Sequence, residues 1–282
     1  TNPDTDGDGL LDGVDPDPTN PDTDGDGLLD GVDPNPTDPT NAPLIVSFSA
    51  DPATVTDLAG TTLSWDVQGD GPISISLDNG IGTVTGTSLQ VDLVVTKTYT
   101  LTATNANGTS TADVTVTVDL TDIDLSGQDL TDAKLAGADL SGANLAGTNL
   151  TNARLAGTNL SGANLTTAIL IDAHMEGANL SGATLNGADL TNAKLEGADL
   201  TWAEANNATF FSSHMRDVDA SNAEFTFADL RTALMTEANF TNVDLSGADL
   251  TGTTLDGVIF DGATWVTGET CAVGSVGSCV IP

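Results

Sequence analysis

Residues 124–148 read DLSGQ DLTDA KLAGA DLSGA NLAGT, five pentads with a leucine at the second place of each. Stepping by five from Leu125, every position to Trp265 is apolar. Most are Leu, with Met at 175, 215 and 235, Phe at 210, 225, 240 and 260, and Ala at 205 and 220. From Leu135 onward, the residue two before each of these centres is small, usually Ala and otherwise Thr, Val or Ser. The register runs through 29 pentads without an insertion. A short period held for so long marks a repeat solenoid.

The pattern resembles the pentapeptide-repeat family, written A(D/N)Lxx, and the resemblance covers residues 121–267. It implies an all-β fold, a right-handed quadrilateral β-helix in which four pentads make one square coil. The centres and the small residues then point inward, and 29 pentads make about seven coils. At the strand spacing of about 4.8 Å the solenoid would be about 35 Å long. Alanine at every second inward place suits so narrow a core, and the aliphatic and Phe ladders stabilise it by burial. A solenoid leaves an open edge at its end. Residues 268–282, with Trp265, are expected to cap the far one.

Twenty-residue coils put residues twenty apart into vertical columns. Lys134, Arg154, His174, Lys194 and His214 share the outward place before a centre, so they should form one column. Like charges about 5 Å apart repel, and Glu176 and Glu196 are the acidic neighbours on that face. The column reads either as a docking strip for something acidic or as a solvated face. Ile169, Ile171 and Phe211 should point outward from one face, with Trp202 and Phe227 nearby. These exposed apolar groups read as a contact surface or as local packing.

The N-terminal region has a different logic. PDTDGDGLLDGVD occupies residues 3–15 and again residues 21–33. The first 41 residues hold twelve carboxylates and no Lys or Arg, and unpaired like charges hold a segment open. Numbered from Asp4, oxygen donors fall at places 1, 3, 5, 9 and 12, with Gly9 at 6 and the Leu10 carbonyl at 7. That spacing wraps hard oxygen ligands round one calcium ion. The expected ligands are Asp4, Asp6, Asp8, Leu10, Asp12 and Asp15, then Asp22, Asp24, Asp26, Leu28, Asp30 and Asp33. Asp replaces the Glu of an EF-hand at place 12, and Asp15-Pro16 and Asp33-Pro34 disfavour a following helix. The stretch resembles the thrombospondin type 3 repeat in its bacterial form, over residues 2–41.

Between the two lies a segment, 42–120, with fewer Asp and more Thr and Val. Strands are expected at 44–50, 61–67, 73–77, 88–93, 97–105 and 109–118, separated by turns such as Asp78-Asn79-Gly80. Short strands at this density suggest a β-sandwich. Trp65 and Tyr99 resemble the core Trp and tyrosine corner of bacterial immunoglobulin-like domains, without the cysteine pair of antibody domains. Such modules serve as spacers.

Composition narrows the function. Six Lys and Arg stand against 41 Asp and Glu, a formal charge of −35. Such a surface repels nucleic acid and anionic membrane, and no apolar run reaches the ~20 residues of a spanning helix. The chain starts inside a repeat, without an initiator Met, and reads as a portion of a secreted precursor. Cys271 and Cys279 are expected to form a disulfide in an oxidising compartment, because two thiols without a nearby His are too few for a metal.

No Ser/His/Asp set, phosphate loop or zinc motif points to an enzyme, and His174 and His214 stand two coils apart, about 10 Å. The series of calcium arm, sandwich and solenoid is expected to be a non-enzymatic extracellular structural protein. It would be a bacterial surface filament subunit or stalk, assembling head to tail. An adhesin whose solenoid binds a surface ligand is one alternative. Some pentapeptide-repeat proteins imitate DNA and inhibit gyrase, which is another. Ice binding is disfavoured, because Thr131, Thr151, Thr191 and Thr251 do not form an unbroken row.

Overall fold

A computed structural model describes residues 4–23, 29–31, 42–69 and 72–281. The chain divides into two compact units, Thr1–Val118 and Asp119–Pro282.

The first unit contains the Asp-rich repeats and, among the described residues, eight strands: β1 Leu44–Asp51, β2 Thr54–Val55, β3 Thr61–Gln68, β4 Ser74–Leu77, β5 Gly82–Val84, β6 Ser88–Val91, β7 Lys97–Thr104 and β8 Thr109–Val118. They form two sheets, ordered β1-β3-β6 and β2-β8-β7-β4-β5. All pairings are antiparallel except β2 with β8. Alternation along β3 and β7 turns Leu63, Trp65, Tyr99 and Leu101 into one core with Val55, Leu77 and Val116. The Trp65 indole N–H is satisfied by the Gly86 carbonyl at 3.0 Å. The β4–β5 connection closes through Ile81 N–H to Asp78 O, with φ of 56° at Asn79 and 82° at Gly80. Positive φ at both central residues is the hairpin turn that Asn-Gly favours. The strands β2 and β5 are absent from the sequence expectations. At two and three residues they are too short to show alternation.

The second unit repeats one move. In the pentad centred on Leu135, the Ala138 N–H bonds back to the Leu135 carbonyl at 3.0 Å, which closes a four-residue turn. The third residue of that turn has positive φ, as does every fifth residue from Asp122 to Gly262. Positive φ at this place alone defines a type II turn, which explains the many glycines there. Between coils, Leu135 N–H reaches Arg154 O, Gly137 N–H reaches Ala156 O, and Arg154 N–H reaches Ala133 O. Parallel bridges join residues twenty apart from Asp124↔Asn144 to Asp244↔Thr264. Four pentads therefore complete one coil.

Centres and small residues fill the interior. Leu140, Ala143, Leu145, Leu150 and Ala153 are fully buried, each large side chain contributing about 1.5–3 kcal/mol by leaving water. Leu120 is buried as well, so the inward series begins one pentad before Leu125. Where Thr replaces Ala, its hydroxyl is satisfied: Thr148 donates to Leu125 O and Thr158 to Leu135 O, both at 2.8 Å. Towards the C-terminus the filling turns aromatic. Phe210, Phe225, Phe240, Phe260 and Trp265 form a continuous series with ring centroids 5.1–6.1 Å apart.

The chain then folds back over the last coil. Antiparallel bridges Thr264↔Thr270 and Ile259↔Val276 replace the next coil. Phe260 N–H bonds Ser275 O and Gly262 N–H bonds Cys271 O, so donors of the terminal edge find partners. Asp261 accepts from the Gly274 and Ser275 N–H groups. The Cys271–Cys279 disulfide closes this segment.

Candidate metal centre and solenoid surfaces

Among the described residues of the Asp-rich repeats, four carboxylates each build a turn with one oxygen. Asp4 Oδ1 accepts from Gly7 N–H, Asp6 Oδ1 from Asp8 N–H, Asp8 Oδ1 from Leu10 N–H and Asp15 Oδ1 from Asp17 N–H. The second oxygens of Asp6, Asp8 and Asp15 are buried without any hydrogen-bond donor. Two carboxylate clusters result, Asp4–Asp6–Asp8 and Asp8–Asp15–Asp30, each with oxygens within 4.8 Å of one another. Burial, and then the charges of Asp6, Asp8 and Asp30, raise the Asp15 carboxyl above its ordinary value, although the Asp17 N–H opposes this. Buried negative charge without a donor is costly unless a cation compensates it. An all-oxygen set of carboxylates fits a hard divalent cation.

The structure sorts the expected ligands. Asp4, Asp6, Asp8, Asp15 and Asp30 are brought together. Leu10 lies beside them, held through its N–H. Asp12 stands outside both clusters, and its oxygens accept from the Thr5 N–H and hydroxyl at 2.9 and 2.8 Å. Asp30 makes the equivalent clasp to Thr23 and still joins the second cluster. The Asp22 carbonyl accepts from Asn20. Asp24, Asp26, Leu28 and Asp33 lie outside the described residues. That Asp30 completes a cluster begun by Asp8 and Asp15 is invisible in the spacing, which treats each repeat separately. The close approach depends on Gly31, where a Cβ would lie 2.2 Å from the Asp8 carbonyl oxygen.

On the solenoid, Lys134, Arg154, His174, Lys194 and His214 are bridged in succession and form one column, continued by Leu234. His174 Nδ1 lies 3.6 Å from Glu176 and His214 Nδ1 lies 3.1 Å from Glu196. Lys194 Nζ is 3.4 Å from His174 Nε2. Ile169, Ile171 and Phe211 share another side, where the Arg231 guanidinium sits 5.4 Å from the Phe211 ring centre. Trp202 and Phe227 stand at corners with positive φ and are the most exposed of these groups.

The outward Asp and Asn before each centre have a structural task that the sequence did not disclose. Asp124 Oδ1 accepts the Ser126 N–H and the Asn144 side-chain amide. Asn144 repeats this with Ala146 and Asn164. These bonds brace turns within a coil and tie neighbouring coils.

Comparison with known protein families finds the same repeat in the sequence. The family described as Pentapeptide repeats matches in eight copies, over residues 118–147, 148–187, 173–210 and 233–264. Among solved structures, the chain is similar to HetL, a pentapeptide repeat protein involved in heterocyst differentiation regulation from the cyanobacterium Nostoc. That match has 28% identity, a TM-score of 0.33, and covers 54% of this chain and 93% of HetL. The pentapeptide repeat protein Rfr23 of the cyanobacterium Cyanothece is 22% identical, with a TM-score of 0.27 and coverage of 52% and 90%. A trypsin-treated variant of QnrB1, a plasmid-mediated fluoroquinolone resistance protein, is 16% identical, with a TM-score of 0.26 and coverage of 49% and 89%. Comparison with curated protein sequences gave no match. The eight matched copies and the twenty-residue coil together identify pentapeptide repeats within a β-solenoid that runs from Asp124 to Thr264.

Proposed function

We propose that the chain is a non-enzymatic structural protein of the bacterial surface, a filament subunit or stalk whose N-terminal repeats are set by calcium. The observation that carries this reading is the pair of carboxylate clusters that meet at Asp8, Asp4–Asp6–Asp8 and Asp8–Asp15–Asp30, in which Asp6, Asp8 and Asp15 each keep one buried oxygen without a donor and Asp30 comes from the following repeat. The resemblance to bacterial thrombospondin type 3 repeats supports the choice of ion. So does the chemistry, since magnesium prefers tight octahedral sites that retain water. Calcium would then join two repeats into one rigid element.

The immunoglobulin-like sandwich serves in this reading as a spacer and the solenoid as the body of the rod. The Cys271–Cys279 bond supports an oxidising, extracellular address. Head-to-tail contact between copies does not close on itself and so extends into a filament. Negative-stain electron microscopy in millimolar calcium and in excess chelator tests this. Fibres that form with calcium and disperse without it are expected. Single rods in both conditions would remove the filament, and absence of calcium binding by calorimetry would remove the calcium assignment.

A further inference from the structure

The corners of the solenoid all take a left-handed backbone, and most are Gly, Asn or Asp. Trp202 and Phe227 occupy two of them, with φ of 60° and 57°. A bulky residue in that conformation is unfavourable. Burial does not offset it, because the two side chains remain 67% and 66% exposed. Thr167, Ser212, Thr232 and Glu237 share this backbone, so what sets these two corners apart is a large exposed ring at each.

The two corners bound the same side of the solenoid. Trp202 stands where that side begins, and Phe227 stands where it ends, one coil further on. Between them are Glu204 and Asn206 on the first coil and Glu224 and Thr226 on the next, with Glu204 bridged to Glu224. Asn186 donates to Glu204 Oε2 at 3.2 Å and Asn206 to Glu224 Oε2 at 2.9 Å, which steadies both exposed carboxylates. The Phe227 ring lies over Gly247 of the following coil, where a Cβ would come within 2.4 Å of it. One edge of that ring therefore rests on the next coil while the rest stays exposed.

We propose that this side binds a polysaccharide of amino sugars through Trp202, Phe227, Glu204 and Glu224. Aromatic faces receive the apolar C–H face of a pyranose and attract cations. Carboxylates accept from hydroxyls and pair with ammonium groups. The two glutamates, one coil apart at about 4.8 Å, offer repeated negative charge to a chain of repeated positive charge. The excess of acidic residues on the chain repels anionic polymers and attracts cationic ones. An open side between corners suits an extended chain of sugars. The proposal is independent of calcium and of polymerisation.

Calorimetry of the intact chain with a chitosan hexamer, its fully N-acetylated counterpart and an oligolysine of equal charge tests this. The chitosan hexamer is expected to bind best. Trp202→Asn and Phe227→Gly place residues used at other corners, Asn207 and Gly247, so the fold is retained. Each is expected to weaken binding at least ~10-fold and to raise Tm by about 2 °C. Failure of the chitosan hexamer to bind, equal binding by oligolysine, or unchanged affinity in both variants would overturn the proposal. A lower Tm in the variants would assign the rings to the fold and overturn it too.

Discussion

Asp8 and Asp30 belong to different repeats, yet their carboxylate oxygens lie within 4.8 Å of each other and of Asp15. Both are nearly sealed from solvent, 6% and 2% exposed. Under the calcium proposal, Asp8→Asn removes charge where two clusters meet. Calorimetric calcium affinity is expected to fall at least ~10-fold, because a ligand charge is lost from an all-oxygen site. Asp12→Asn, outside the clusters, should cost much less.

The aromatic series fills the solenoid core from Phe210 to Trp265. Phe225 lies 5.2 Å from Phe210 and 5.5 Å from Phe240 and is fully buried. Phe225→Ala is expected to destabilise the solenoid by about 3–5 kcal/mol, through lost burial and a cavity that a closed coil cannot collapse. Thermal unfolding followed by circular dichroism measures it.

The C-terminal cap should act locally. A disulfide spanning eight residues constrains the unfolded cap by about 2–3 kcal/mol on the chain-entropy account. Stability in a solenoid passes mainly between neighbours. Replacing Cys271 and Cys279 by Ser is therefore expected to speed hydrogen exchange at Phe260 and Gly262. Exchange at Leu145 and Leu150 should stay unchanged.

Acid should reveal the Arg231 pair. The hydrogen bond from Arg231 holds the Asp229 carboxyl below its ordinary value, with the guanidinium charge adding to this. A depressed carboxylate stabilises the fold above the unfolded value, about 3.9. That contribution is lost as pH falls through the folded value. The Tm gap between the native chain and Arg231→Ala should be full at neutral pH and should narrow as pH drops below the ordinary carboxylate range, leaving the part owed to the Phe211 contact.

Much of the solenoid is legible because its inward residues obey a single short rule. Leu at the centre and Ala two residues before it repeat visibly, and the twenty-residue coil then places Lys134 above Arg154 by arithmetic. The corners are less legible. Gly137 signals a left-handed turn, whereas Trp202 at the same place carries no local sign of its backbone. The outward Asp124 looks like spare charge until its bonds to Ser126 and Asn144 are seen. In the Asp-rich repeats, spacing shows which residues suit an ion within one repeat. It cannot show that Asp30 closes on Asp8 and Asp15, since that contact depends on how two repeats fold together. Asp12 illustrates the converse, a suitable residue engaged by Thr5.

The interior of the solenoid counts in fives, while its sides count in twenties. Inserting one pentad between coils would leave every buried leucine in step. It would turn everything beyond the insertion by a quarter, parting Trp202 from the side it shares with Phe227 if placed between them. Surface patterns on such a rod can thus be shuffled by whole-pentad gain or loss with the core undisturbed. Evolution can redraw the exterior by a dial with four settings.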